Sequence, residues 1–156
     1  MAFILLFLLF FNFAAPVTAE EVITESGFRF TELGWSDDPD ADYLEYEPNQ
    51  GVFKKGTRAY AYFEVAGFST LPQDEKYLTH LAVDVHLKTS GGFRLFTQRD
   101  VVDFDSLDWQ PRESVWFYLY VDIPWFAPRA TYIAEVVVRD LISGEEIRHQ
   151  EKLTVE

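Results

Sequence analysis

The stretch "YLTHLAVDVHLKTSGGFRLFTQR", Tyr77 to Arg99, decides the fold. Leu81, Val83, Val85 and Leu87 share one parity; His80, Ala82, Asp84, His86 and Lys88 share the other. A period of two marks a half-buried strand, because successive side chains point to opposite faces. The first parity is expected to face in and the second out. Ser90-Gly91-Gly92 reads as a turn, and "FRLFTQR" returns from it as a hairpin partner.

The same period governs the chain on either side. "GFRFTEL", 27–33, alternates through Phe28 and Phe30. "TRAYAYFEVAGF", 57–68, sets Ala59, Ala61, Phe63 and Val65 against Tyr60, Tyr62 and Glu64. "SVWFYLYVDIPWF", 114–126, sets Val115, Phe117, Leu119, Val121 and Ile123 against Trp116, Tyr118 and Tyr120. "TYIAEVVVRD", 131–140, places Tyr132, Ala134, Val136 and Val138 on one side. "EIRHQEKLTV", 146–155, closes with Ile147, His149, Leu153 and Val155 on alternate positions. The acidic run "DVVDFDSLDWQPRE", 100–113, reads as a linker. "LPQDEKYLTHL", 71–81, is the single trace of helical spacing and is more economically a loop entering a strand. Seven or eight strands separated by Gly-, Pro- or Asp-bearing loops describe an all-β, antiparallel sandwich in which each sheet buries one face against the other.

"APRATYIAEVVVRDLISGEEI", 127–147, resembles the penultimate hairpin of immunoglobulin-like and fibronectin-III-like modules: a corner, then Tyr, alternating apolar residues, Asp and a Ser-Gly turn. The resemblance implies an immunoglobulin-like sandwich in which Tyr132 is structural, starting a strand and tying the corner through its hydroxyl. "FKKGTRAYAYFEVAGF", 53–68, is similar to the B-strand region of such modules in secreted bacterial proteins. The Cys pair of antibody domains is absent, and the resemblance implies no activity.

The N-terminus is apolar from Phe3 to Ala15, is broken by Pro16, and continues with the compact Val17-Thr18-Ala19. This pattern predicts a secretory signal peptide, residues 1–19, followed by one β-sandwich domain, 20–156. No Lys or Arg precedes the run, so an uncleaved anchor is the alternative. After cleavage no membrane span is expected. There is no Cys and no Asn-x-Ser/Thr, which excludes thiolate catalysis and Cys-ligated zinc and favours the bacterial periplasm or exterior. With 26 acids and 13 bases the formal charge is −13. A surface that repels phosphate argues against nucleic acid and against an anionic membrane as partners.

Four features invite a site. "DDPDADY", 37–43, offers Asp38, Asp40 and Asp42 in the spacing of half a calcium loop. Tyr43 stands where such a loop needs Gly, and Asn49 where it needs Glu. This leaves a non-EF-hand calcium site against the ordinary reading of a solvated turn. Asp103, Asp105 and Asp108 form a second acidic group. His80, Asp84 and His86 share one face, but at ~3.3 Å per residue they are too spread for one metal without help from a neighbouring strand. The aromatics are the fourth. The sequence has 15 Phe, 8 Tyr and 4 Trp, and five of the Phe fall in the first 19 residues. Tyr60, Tyr62, Trp116, Tyr118 and Tyr120, with Trp125 and Phe126 beyond Pro124, are the candidate binding residues. They suit a protein interface or a sugar platform, and they also suit an ordinary sheet surface. No nucleophile elbow is present. The expectation is a secreted, non-catalytic binding module with a protein partner, or alternatively a carbohydrate-binding module with structural calcium as its one candidate cofactor.

Overall fold

A computed structural model describes residues 23–24, 27–39, 42–43 and 45–156. The expected signal peptide and Asp40 lie outside the described residues. Eleven strands follow in order: β1 (Ile23–Thr24), β2 (Arg29–Ser36), β3 (Pro48–Asn49), β4 (Val52–Phe53), β5 (Arg58–Ala66), β6 (Ser69–Gln73), β7 (Lys76–Thr89), β8 (Arg94–Asp108), β9 (Ser114–Asp122), β10 (Ala130–Asp140) and β11 (Glu146–Val155). Eight of them have five or more residues, so the expected strand number holds, and "LPQDEKYLTHL" lies in the β6–β7 hairpin. No helix among the described residues is long and apolar enough to cross a membrane.

The strands form two sheets. The smaller has the order β3-β2-β5-β9. The larger runs β1-β6-β7-β10-β11-β4, with β8 on the other side of β7. All pairings are antiparallel except β11 with β4. The register aligns the apolar parities. In the larger sheet Val138 lies beside Val83, Val136 beside Val85 and Ala134 beside Leu87. In the smaller sheet Phe63 lies between Leu33 and Phe117, and Ala61 between Trp35 and Leu119. These inward rows make an immunoglobulin-like sandwich.

Two expectations are corrected. The acidic run 100–113 is strand through Asp108: Val102, Phe104 and Ser106 pair with Val83, Leu81 and Thr79 of β7. Asp103 and Asp105 occupy the alternate positions, so the charge that suggested a linker is in part the solvent parity of an edge strand, while Asp108 ends the strand held by Arg112. Asp84 and His86 also depart from expectation. They lie on the outward parity but are buried. The Asp100 amide donates to Asp84 Oδ1 at 2.9 Å, and Arg139 donates to both carboxylates. His86 Nδ1 meets Thr97 Oγ1 at 3.1 Å.

Local chemistry closes the turns. Asp140, fully buried, accepts from the Ser69 amide at 2.8 Å, the Ile142 amide at 2.9 Å and the Ser143 hydroxyl at 2.7 Å. It thereby pins the β10–β11 turn to the start of β6. Tyr132 donates its hydroxyl to the Pro128 carbonyl at 3.1 Å across the corner that opens β10. Gly67, between β5 and β6, has φ +74°, and a Cβ there would stand 2.6 Å from the Gly27 carbonyl oxygen.

Candidate functional site

The interior is not filled evenly. One apolar cluster gathers Phe63, Val65, Phe68, Leu81, Val83, Val115, Phe117 and Val138. A second gathers Trp35, Phe53, Ala59, Ile123, Leu153 and Val155. Where the second cluster approaches the first, the inward positions shrink to its own Ala59 and the adjoining Ala61 in one sheet and Ala134 in the other. The facing layers cannot meet there, and a cavity of about 440 Å³ results, floored by these alanines and walled by Leu33, Val85, Leu119 and Val136. Well-packed interiors hold few voids larger than a water molecule, so a hole of this size is a feature of the fold. It falls within the size range of small-molecule sites.

Solvent reaches it between two strand edges. Strands β8 and β9 are the facing edges of the two sheets, and they do not pair. Phe96 of β8 and Val121 of β9 both line the cavity on the inward parity, yet are 49% and 39% exposed. In β7 the order of burial is inverted: inward Val85 and Leu87 are half-buried, whereas outward Asp84 and His86 are buried. The inward pair looks into the open cavity; the outward pair is sealed under polar partners.

Those partners form a network behind the cavity wall. Glu135, buried, accepts from Lys88 Nζ at 2.8 Å and Gln150 Nε2 at 2.7 Å. Burial pushes the Glu135 carboxyl up, but Lys88 and Gln150 outweigh it and hold the group below its ordinary value. Burial likewise pushes Asp84 up, and the Asp100 amide with Arg139 brings it below the usual range. Burial, assisted by nearby Arg94, lowers His86. The network fixes the sheet on its outward parity, and His86 and Glu135 also contribute to the cavity lining.

The aromatic candidates divide into two groups. Tyr60, Tyr62, Trp116 and Tyr118 come together on the outer face of the smaller sheet. Tyr60 stacks on Tyr118 with centroids 5.3 Å apart, and Tyr62 on Trp116 at 6.0 Å. The β2–β3 connection then crosses over them. Tyr46 stacks on Tyr62 at 4.5 Å, Tyr43 lies against Trp116, and the Tyr118 hydroxyl donates to the Asp38 carbonyl. Tyr62 is left 1% exposed and Tyr60 is buried. The middle of the row is therefore an internal layer, with Trp116 and Tyr120 reaching solvent at its two ends. Trp125 and Phe126 stand apart on the β9–β10 loop, edge to face and exposed.

The acidic and histidine candidates do not assemble. Among the described residues no three His, Cys, Asp or Glu side chains are placed to hold a metal ion. Asp42 caps its own turn through the Tyr43 amide, and the Asp38 amide donates to Ser36 Oγ. His80 is held by Asp103 at 2.8 Å, while Asp84 and His86 have the separate partners given above. The cavity-forming alanines and Phe96 carry no sequence signal as site residues. The available sign is three alanines on the inward parity of strands that otherwise place large apolar groups there.

No protein-family model and no curated protein matches the sequence. Among solved structures the chain is similar to the C-terminal domain of Wzt, with a TM-score of 0.55 and 9% identity over 89% of this chain and 79% of that one. It is also similar to a Niemann-Pick type C2 protein from the Japanese carpenter ant, with a TM-score of 0.50 and 9% identity over 88% of this chain and 99% of that one. The likeness is one of fold: an all-β sandwich of two antiparallel-rich sheets.

Proposed function

We propose that the protein is an exported, non-catalytic binding module that holds a small apolar ligand between its two sheets. The observation that carries this is the cavity of about 440 Å³ between the two core clusters, open between β8 and β9. Its walls are mainly aliphatic and aromatic, with the His149–Glu151 pair of β11 beside Val136 and Ala134, so what it recognises is chiefly hydrocarbon: an acyl chain or a compact ring system. Displacing water from such a surface contributes ~25 cal/mol for each Å² removed, enough for micromolar binding without a directed contact. Export rests on the apolar N-terminal run. The protein and sugar partners anticipated from the aromatics have weaker support, because Tyr60 and Tyr62 are covered by the chain's own β2–β3 connection. The test is titration with N-phenylnaphthylamine, whose fluorescence rises in apolar surroundings. Saturable binding at one site per chain, lost in Ala61→Leu, is expected. No saturable binding by folded protein, or binding indifferent to that substitution, overturns the proposal.

A further inference from the structure

The registers bring three loops to one end of the sandwich. Arg58 lies beside Asp122, so the β4–β5 loop meets the β9–β10 loop. Gly56 and Ile123 are joined by a 2.9 Å backbone bond, as are Ile123 and Thr57. Thr89 lies beside Tyr132, so the β7–β8 loop is at the same end. Each of the last two loops carries uncovered aromatic bulk: Phe93 is 72% exposed, Trp125 79% and Phe126 68%. Leu95 continues the exposed apolar surface into β8. Trp109, also strongly exposed, is at the opposite end with the Lys76 ammonium over its ring at 4.8 Å.

Charge is distributed as unevenly as the aromatics. These loops and the residues flanking them hold Lys54, Lys55, Arg58, Arg94 and Arg129, against Asp37, Asp38, Asp122 and Glu156; nearby Lys88 is neutralised by the buried Glu135 at 2.8 Å. That leaves 22 of the 26 acids and 8 of the 13 bases for the rest of the chain. The end is thus net +1, and the remainder −14. Beyond Asp38 the β2–β3 connection crosses the outer face of the smaller sheet, where Tyr43 and Tyr46 anchor it, and carries Asp42, Glu45 and Glu47 away from this end.

We infer that this end of the sandwich docks on an anionic lipid surface. Protruding Trp and Phe with Lys and Arg beside them fit a bilayer interface, where indole rings sit at headgroup depth and each basic residue near the surface is drawn to anionic lipid. Phe93 stands on one loop, and Trp125 with Phe126 on another. The net charge of −13 argues against such a partner only as an average; the fold turns the acidic body away from the surface it would repel. The cavity mouth is at this same end: Phe96 lies two residues into β8, and Val121, Asp122 and Pro124 line the cavity where β9 leads into the Trp125–Phe126 tip. Docking would set the mouth against the lipid from which an apolar ligand comes. Only this last step rests on the proposed function; the docking itself does not.

The test is binding of the whole chain to phosphatidylcholine vesicles with and without phosphatidylglycerol, with brominated lipid as quencher. The N-terminal apolar run is common to every variant, so the readout is the difference between them. The expected result is tryptophan quenching on phosphatidylglycerol vesicles that disappears in Trp125→Phe. Partition should fall at least tenfold in Trp125→Ala/Phe126→Ala and about thirtyfold when Lys54 and Lys55 are both changed to Ala. Quenching that persists in Trp125→Phe, or partition indifferent to these changes, overturns the inference. So does a tip-dependent dimer, or capture of an acidic protein, without vesicle binding. N-phenylnaphthylamine titration separates the two proposals: tip variants should keep probe binding, and Ala61→Leu should keep vesicle binding.

Discussion

Filling the cavity should stabilise the protein while destroying its site. Ala61 is central: it faces inward between Trp35 and Leu119, opposite the sheet that carries Ala134, and lines the open space. Ala61→Leu adds three carbons. Each buried methylene contributes about 0.8 kcal/mol, so the upper limit is near 2.4 kcal/mol. Fixing the leucine side chain costs about 0.5–1 kcal/mol. The net expectation is about +1 to +2 kcal/mol, or a Tm rise of roughly 3–8 °C for a chain of this size. The assay is thermal unfolding followed by circular dichroism, paired with chemical denaturation. An ordinary close-packed core would give the opposite sign, because overpacking costs about 1–3 kcal/mol. A drop in Tm by that amount would refute the reasoning: it would mean that Ala61 touches its neighbours and that the two core clusters are continuous.

Asp140→Ala strips several donors of one buried acceptor and frees the β10–β11 turn from β6; denaturation should show a loss of about 2–4 kcal/mol. Gly67→Ala forces a left-handed φ on a residue with a Cβ and drives that Cβ at the Gly27 carbonyl, so a loss above ~1 kcal/mol is expected by the same measurement. Tyr132→Phe removes one hydrogen bond at the β10 corner and should cost about 0.5–1.5 kcal/mol while leaving probe binding intact. Stability should fall on acidification in two stages. His86 is lowered by burial, so the unfolded chain takes up its proton first, and stability declines as pH drops below about 6.5. Asp84 and Glu135 are held low in the fold, so their contribution is present above about pH 4 and is lost as pH falls through the folded values. A melting temperature flat from pH 7 to pH 4 would contradict this assignment.

Strand parity was legible because burial on one face imposes a period of two, and Leu81–Leu87, Phe63–Val65 and Val115–Ile123 follow it without interruption. β8 was not, because its unpaired edge tolerates Asp103 and Asp105 on its solvent parity and so resembles a linker. The aromatic row was half legible. Tyr60, Tyr62, Trp116 and Tyr118 do share a face, but their cover comes from Tyr43 and Tyr46, whose reach across the sheet depends on the path of a loop. The cavity was illegible for a different reason. It is made by what Ala59, Ala61 and Ala134 lack, and a small residue at a core position looks the same in sequence whether its neighbour fills the gap or not. Charge misled by being summed: the sequence yields −13, while the topology decides which end carries the bases.

The irregularity in the middle of β8 has a consequence for life at high concentration. Between Val102, opposite Val83, and Gln98, opposite Val85, three residues of β8 face one of β7, and Asp100 takes a φ of 51° with its amide turned onto Asp84. A straight free edge of this length would be a template for a second chain, and from there for a fibre. The kink, with Arg139 bound across it, breaks that edge into two short pieces, and the aspartates that follow repel any copy that approaches in parallel. The protein can therefore leave β8 unpaired, and its sheets open, without inviting its neighbours to complete them.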